Sequence, residues 1–314
     1  MFLSQTGQSV LVDFNIRDIV GEALSRRFPI RPLTILIRLQ YEIEKHISHS
    51  AMNRSILRGM TLLETAAKFG RPLTLKELAA AAKLNNITAY RLVISLEAKG
   101  LICRLPDTGL LSLGPACLYF ADAFRRQGAL REKVVPSLQA LMRATEETVG
   151  YTERFRGDMC VTLERWESPH ETRTVSQIGI PRSLCIGSSG PAILAMLPDD
   201  EIASIIRGKQ LAQHTPFTPT TEKQILKKVA LIRRKGYAVS LQEKSLYTAG
   251  VAASVFSNGS VVGSLAIIGP VERMKRRGID HLGILVRKIA HNLSKDLDYT
   301  KLTDRKRERL KRIV

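Results

Sequence analysis

Residues Leu73 to Ile102 read LTLKELAAAAKLNNITAYRLVISLEAKGLI. The spacing predicts two short helices joined by a tight turn, the second running into a strand. Thr74 with Glu77 three residues later is a capping box, in which hydroxyl and carboxylate each satisfy an orphan backbone N–H. Leu75, Leu78, Ala79 and Ala82 then form one apolar stripe. Lys83 to Asn86 break the pattern, and Asn86 is expected to cap the next helix. There Ala89, Leu92, Val93 and Leu96 form a second stripe, and Gly100 stands where a terminating glycine belongs.

With that second stripe turned inward, Thr88, Arg91 and Ser95 point outward, and Asn85, Asn86, Ile87 and Tyr90 lie near the leading end. A DNA recognition helix uses its N-terminal residues on base edges. Arg91 suits guanine and Asn86 suits adenine, each through paired hydrogen bonds. Thr74, at the start of the preceding helix, joins this candidate DNA-binding set. Upstream, Ile56, Met60, Leu63 and Ala67 have the spacing of a supporting helix. Downstream, Leu101–Leu105 and Leu110–Leu113 flank Pro106-Asp107-Thr108-Gly109, a turn-rich tetrapeptide, so a β-hairpin wing is expected with Arg104 reaching a phosphate. The alternative is an αα-hairpin that only packs. Three helices, a wing and a basic chain argue against it.

The 314 residues carry 48 Lys and Arg against 29 Asp and Glu, a formal charge of +19. Such a balance attracts polyanions, nucleic acid first, through counterion release. Hydrophobic content of 44 % is ordinary for a globular chain with room for two cores. Cys103, Cys117, Cys160 and Cys185 are too scattered for a disulfide scaffold or a zinc ribbon and fit a reducing cytoplasm. No apolar run reaches the roughly 18 residues of a membrane span, and Asp13 and Asp18 interrupt what would be a signal peptide. No membrane partner, metal or cofactor is expected.

The run GRPLTLKELAAAAKLNNITAYRLVISLEAKGLICR, followed by LSLGPACLYFADAF, resembles the winged helix–turn–helix of the IclR family of bacterial transcriptional regulators. The blocks VVPSLQALMRATEETVGYTERFRGDMCVTLERW, IGIPRSLCIGSSGPAILAMLP and IRRKGYAVSLQEKSLYTAGVAASVFSNGSVVGSLAIIGP resemble, in order, that family's effector-binding domain. The likeness covers about residues 53–298. It implies an α+β chain in which an N-terminal winged helix–turn–helix precedes a sensor-like domain built on an antiparallel sheet. It further implies a double-stranded DNA operator, a small-molecule effector, and self-association as a dimer or tetramer.

The loop Gly187-Ser188-Ser189-Gly190-Pro191 is the best candidate ligand site, since Pro191 suits a first helical turn and the N–H groups before it would face outward. Positions matching the family's effector pocket are Ser188, Ser189, Gly190, Ser240, Leu241, Glu243, Gly250, Ala266 and Ile268. A plain tight loop is the competing reading. Leu241-Gln242 replaces an acidic pair, and Ala266 and Ile268 replace serines, so the pocket is expected to be more apolar and to take an aromatic or longer-chain carboxylate.

An enzyme is the rival class. Gly187-Ser188-Ser189-Gly190 falls short of a G-x-S-x-G nucleophile elbow. Cys185 has no histidine assigned beside it, His46 and His49 lack ligand company, Trp166 reads as core, and no Walker, G-x-G-x-x-G or H-E-x-x-H motif occurs. A non-enzymatic regulator of either sign is therefore expected.

The expected organisation is an extension (1–51), the reader (52–115), a linker helix (116–130), the effector domain (131–298) and a basic tail (299–314). The linker helix is expected over Leu113–Leu130, with Leu118, Ala121 and Phe124 facing a partner chain. A helix over 131–148 and strands Tyr151–Arg156, Met159–Trp166, Thr172–Ile178, Val251–Ser257 and Ser260–Ile268 follow, the last two joined by Asn258-Gly259. Helices are expected near 190–197, 199–207 and 221–235 and through Ile284, Ile289 and Leu293. Met52 stands where a family-like start falls, so the extension reads as disordered or as lying upstream of the true start.

Overall fold

The computed structural model describes residues 53–126, 129–209 and 211–311. Expectations for the first 51 residues and for Met52 lie outside these. Asn53 caps helix α1 (Arg54–Phe69), its Oδ1 accepting from the N–H groups of Ser55 and Ile56. The capping box forms as expected at α2 (Leu75–Ala81), where Thr74 and Glu77 satisfy each other's backbone. At α3 (Asn86–Ala98) the cap is Asn85, not Asn86: Asn85 Oδ1 accepts from Thr88 N at 2.8 Å. The two asparagines offer the same chemistry, and Asn85 is the one with extended backbone, which leaves Asn86 as the first helical residue.

Strands β1 (Ile102–Arg104) and β2 (Leu111–Leu113) form the wing. Leu62, Leu78, Val93, Ile102 and Leu111 close one core with at most 2 % exposure each, and each such burial is worth about 1.5–3 kcal/mol. The α1 stripe is corrected: Gly59, Leu62, Thr65 and Ala66 are buried, whereas Ile56 and Met60 are exposed and Ala67 faces solvent. That helix is apolar on two faces, so spacing alone does not choose between them. Helix α4 (Ala116–Arg126) starts after Gly114-Pro115, later than expected, and buries no residue.

Helix α5 (Ala129–Thr145) is followed by β3 (Thr148–Phe155), β4 (Met159–Trp166) and β5 (Arg182–Ser183). Helices α6 (Ser189–Leu194), α7 (Asp199–Ile206) and α8 (Glu222–Lys235) come next. The chain then runs through β6 (Ala238–Leu241), β7 (Thr248–Ser257) and β8 (Ser260–Pro270) to α9 (Val271–Arg277) and α10 (Ile279–Lys311). The sheet is antiparallel, in the order β5-β4-β3-β8-β7-β6. Asn258 and Gly259 both have positive φ, as a two-residue hairpin requires.

Side chains alternate along β7. Val251, Ala253 and Val255 face a core shared with Val134, Leu138 and Leu141 of α5 and Val286 and Leu293 of α10. Ala252 faces the other core, with Ile193 of α6, Ile202 of α7 and Ile225 of α8. Ala238, Ala252, Ala266 and Gly150 lie in one row across four strands, a floor of small residues on which α6 packs. Trp166 packs against the first core, half-buried.

Thr172–Ile178 is not a strand, although its composition favours one. The outer edge of β4 is taken instead by Arg182 and Ser183, opposite Cys160 and Met159, and Gly179 donates to the Thr162 carbonyl at 3.0 Å. Three elements escape sequence reading, the two-residue β5, the four-residue β6 and the seven-residue α9. The segment after residue 298 continues as helix to Lys311. Among the described residues no helix is long and apolar enough to cross a membrane.

Candidate functional site

Two surfaces carry chemistry. On α3, Asn86, Ile87, Tyr90, Arg91 and Ser95 are exposed while Ala89 and Val93 are fully buried. Ile87 is 77 % exposed, an uncommon setting for a branched aliphatic on a helix that also presents polar groups. The Arg91 guanidinium has no hydrogen bond or ion pair to any described residue. Ile94, also exposed, is a member of this face that the spacing argument leaves out.

Five expected contact residues have structural partners. Thr74 Oγ1 accepts from Glu77 N at 3.1 Å and donates to the Glu77 carboxylate at 2.9 Å. The Thr74 backbone N–H, donating to the Glu77 carboxylate at 2.8 Å, does most to hold the Glu77 pKa down to about 2, with Arg71 and the Thr74 hydroxyl adding to it. Asn85 is the helix cap, and Thr88 is half-buried with its N–H on that cap. Ser95 Oγ donates back to the Arg91 carbonyl at 3.2 Å. Arg104 does not extend from the wing: it pairs with Glu97 at 3.3 Å and donates to the Gly109 carbonyl at 3.2 Å, bracing the wing against α3.

The second surface is a cavity of about 230 Å³ in the domain built on the six-stranded sheet. Of the expected positions, Ser188, Ser189, Gly190, Ser240, Gly250 and Ile268 line it, and Leu241, Glu243 and Ala266 do not. Leu241 is exposed at the end of β6, and Ala266 belongs to the small-residue floor beneath α6. Glu243 is 7 % exposed and sits behind the wall, where it pairs with Lys228 of α8 and accepts from Gly187 N at 2.9 Å. Lys228 donates also to the Gly187 carbonyl at 2.8 Å. Burial lowers the Lys228 pKa, with Glu243 pulling the other way. The hydroxyls of Thr215 and Thr218 hold the next stretch by donating to the carbonyls of Gln242 (2.6 Å) and Glu243 (2.7 Å).

Glycine is required twice in this wall. Gly187 has φ +86°, and a Cβ on Gly190 would sit 2.8 Å from the Ser183 carbonyl and 2.9 Å from Leu184 Cα. Pro191 is the third residue of the six-residue α6, and Ser188 at its start makes no side-chain cap.

The cavity lining mixes apolar residues, among them Val175, Ile186, Ala249 and Ile268, with polar ones. Seven hydroxyl side chains and two cations, Arg182 and Lys244, line the cavity. Arg182 donates to Ser176 Oγ at 2.9 Å and to Thr162 Oγ1, and burial lowers its pKa. Lys244 is solvent-reachable as a residue. Reduced hydration around its amine and, next, the like charge of Arg182 bring its pKa down to about 8. The thiol of Cys160 borders the cavity, and that of Cys185 is fully buried; burial raises both pKa values, which keeps them protonated and poorly nucleophilic. Among the described residues no group of His, Cys, Asp and Glu could hold a metal ion.

Residues 55–106 match the IclR helix-turn-helix domain and residues 125–295 the bacterial transcriptional regulator IclR C-terminal domain. The transcriptional repressor IclR of Escherichia coli K12 is 25 % identical over 77 % of this chain and 89 % of its own. The HTH-type transcriptional regulator KipR of Bacillus subtilis 168 is 28 % identical over 79 % of this chain and 98 % of its own. Among solved structures, an IclR homologue from Microbacterium hydrocarbonoxydans complexed with 4-hydroxybenzoate has a TM-score of 0.66 at 21 % identity, covering 77 % of this chain and 98 % of that one.

Proposed function

The chain belongs to the IclR family of bacterial transcriptional regulators, and on that premise we propose that its α3 face reads an operator while its cavity senses an organic acid. The helix–turn–helix makes it a DNA-binding protein. Asn86, Ile87, Tyr90 and Arg91 are the base-reading set, Arg91 on guanine and Ile87 on a thymine methyl. Arg104, Thr74 and Asn85 hold that face in place rather than touching DNA.

The observation that carries the sensor half is the cation-lined cavity itself. Arg182 is a guanidinium whose partners are neutral hydroxyls, a setting that a carboxylate completes. The 4-hydroxybenzoate of the Microbacterium hydrocarbonoxydans homologue is a fitting first probe. The ligand acts on operator binding only through its differential affinity for two states of the protein, and no turnover is expected.

We take the active species to be a dimer or tetramer in the cytoplasm, with Leu118, Tyr119, Phe120 and Phe124 of α4 packed on a second copy. All four are more than half exposed, a larger apolar cluster than a lone surface usually carries. Footprinting of the full chain on DNA upstream of its own coding region, with and without candidate acids, tests the whole reading. Protection that is uniform across sequences and indifferent to every acid would overturn it.

A further inference from the structure

The cavity holds two cations and no anion. Arg182 stands on β5, at one edge of the sheet, and Lys244 follows β6, at the other edge. Both nevertheless line one cavity, Lys244 from the loop that follows β6. No acidic side chain lines that space. The acid closest to Lys244 in sequence, Glu243, is already engaged by Lys228 and the Gly187 N–H. The guanidinium of Arg182 touches only the hydroxyls of Ser176 and Thr162, and Lys244 has no hydrogen-bond or ion-pair partner among the described residues. The thiols of Cys160 and Cys185 are held protonated by burial. Placing two like charges in one cavity with only neutral dipoles around them is costly, and a bound counter-charge removes that cost.

From this juxtaposition we propose that the effector is a compact dicarboxylate, one carboxylate met by Arg182 and the other by Lys244. The inference rests on the reading of this cavity as the effector site. A dianion rather than a monoanion follows from the charge count, since one carboxylate leaves the second cation uncompensated. The flat guanidinium takes one carboxylate through two parallel hydrogen bonds, the Lys244 amine takes the other, and phenyl phosphate is the single-headed dianion against which that choice is tested. A volume of about 230 Å³ is small beside the roughly 300–1,000 Å³ of drug-sized sites, which favours a short chain or a single ring. The hydroxyls of Ser188, Ser240 and Thr248 supply donors for the remaining carboxylate oxygens.

The test is calorimetric titration of the full chain at constant ionic strength with matched pairs: glutarate against butyrate, phthalate and terephthalate against benzoate, and phenyl phosphate as the compact dianion. At least one dicarboxylate is expected to bind tenfold or more tighter than its monoacid partner, a difference of about 1.4 kcal/mol. In Lys244→Gln that ratio should collapse to within about threefold with monoacid binding retained, and Lys244→Arg should restore it. Equal affinities within every pair would overturn the proposal while leaving an acid-sensing cavity in place. A ratio that survives Lys244→Gln, or phenyl phosphate binding tighter than every dicarboxylate, would overturn it as well. Failure of every acid to bind would overturn the sensor reading together with it.

Discussion

The α3 face and the cavity both present arginine, under opposite conditions. The Arg91 guanidinium lies in open solvent without a partner, so water satisfies it until DNA arrives, and its charge adds affinity at little cost to the free protein. Arg182, half-buried, and Lys244, exposed on one side, line a single cavity beside hydroxyls and each other. The free protein carries their mutual repulsion, and a ligand relieves it. One surface is poised and cheap to maintain; the other brings two like charges together, and on the proposed reading a ligand that relieves their repulsion shifts a conformational balance.

The hardest way to break this contrast is to attack what holds the cavity wall. Glu243→Ala leaves Lys228 buried without its counter-charge and frees the Gly187 N–H. A loss of about 3–5 kcal/mol is expected from denaturant unfolding, and a loss below 1 kcal/mol would show that Glu243 is not the anchor. Next is Arg91→Ala, expected to cost about 1–3 kcal/mol at the operator with much less on random DNA. Competition gel shifts measure this, and equal losses on both would reduce Arg91 to a phosphate contact.

Thr74→Ala should remove about 1 kcal/mol of stability and leave the operator preference unchanged, because its hydroxyl serves Glu77. A change in preference at unchanged stability would return it to the DNA-contact set. The smallest effect concerns Lys244→Met in ligand-free protein. Its folded pKa of about 8 lies below the ordinary 10.5, so the charged form is disfavoured by folding. That penalty is complete below about pH 8 and vanishes above 10.5. The variant should therefore be more stable than wild type at pH 7, by no more than about 1 kcal/mol given its solvent access, and the gain should fade by pH 10.5. A gain that is flat with pH would remove the charge from the explanation.

The helical parts were legible because caps and stripes are local: Thr74 with Glu77, the Ala89 and Val93 face, and the Asn258-Gly259 turn each declare themselves within a few residues. Where two local signals competed, as at Asn85 and Asn86 or on the two apolar faces of α1, spacing could not choose. The Thr172–Ile178 segment misled because strand preference is decided by which edge is open, and Arg182-Ser183 occupies it. Six of nine expected cavity positions line it, in blocks whose order the family likeness supplied. Arg182 and Lys244 were invisible to that reading. Each is a lone cation in its own stretch, and only the order of the strands brings them together.

That origin at the two margins of the sheet has a consequence for ligand preference. β5 is a two-residue strand and Lys244 lies beyond the end of β6, so neither cation contributes to the hydrophobic cores. Exchanging either one alters the charge the cavity prefers without disturbing the register of the central strands. On the proposed reading, ligand preference can be altered one margin at a time while the cores keep their packing.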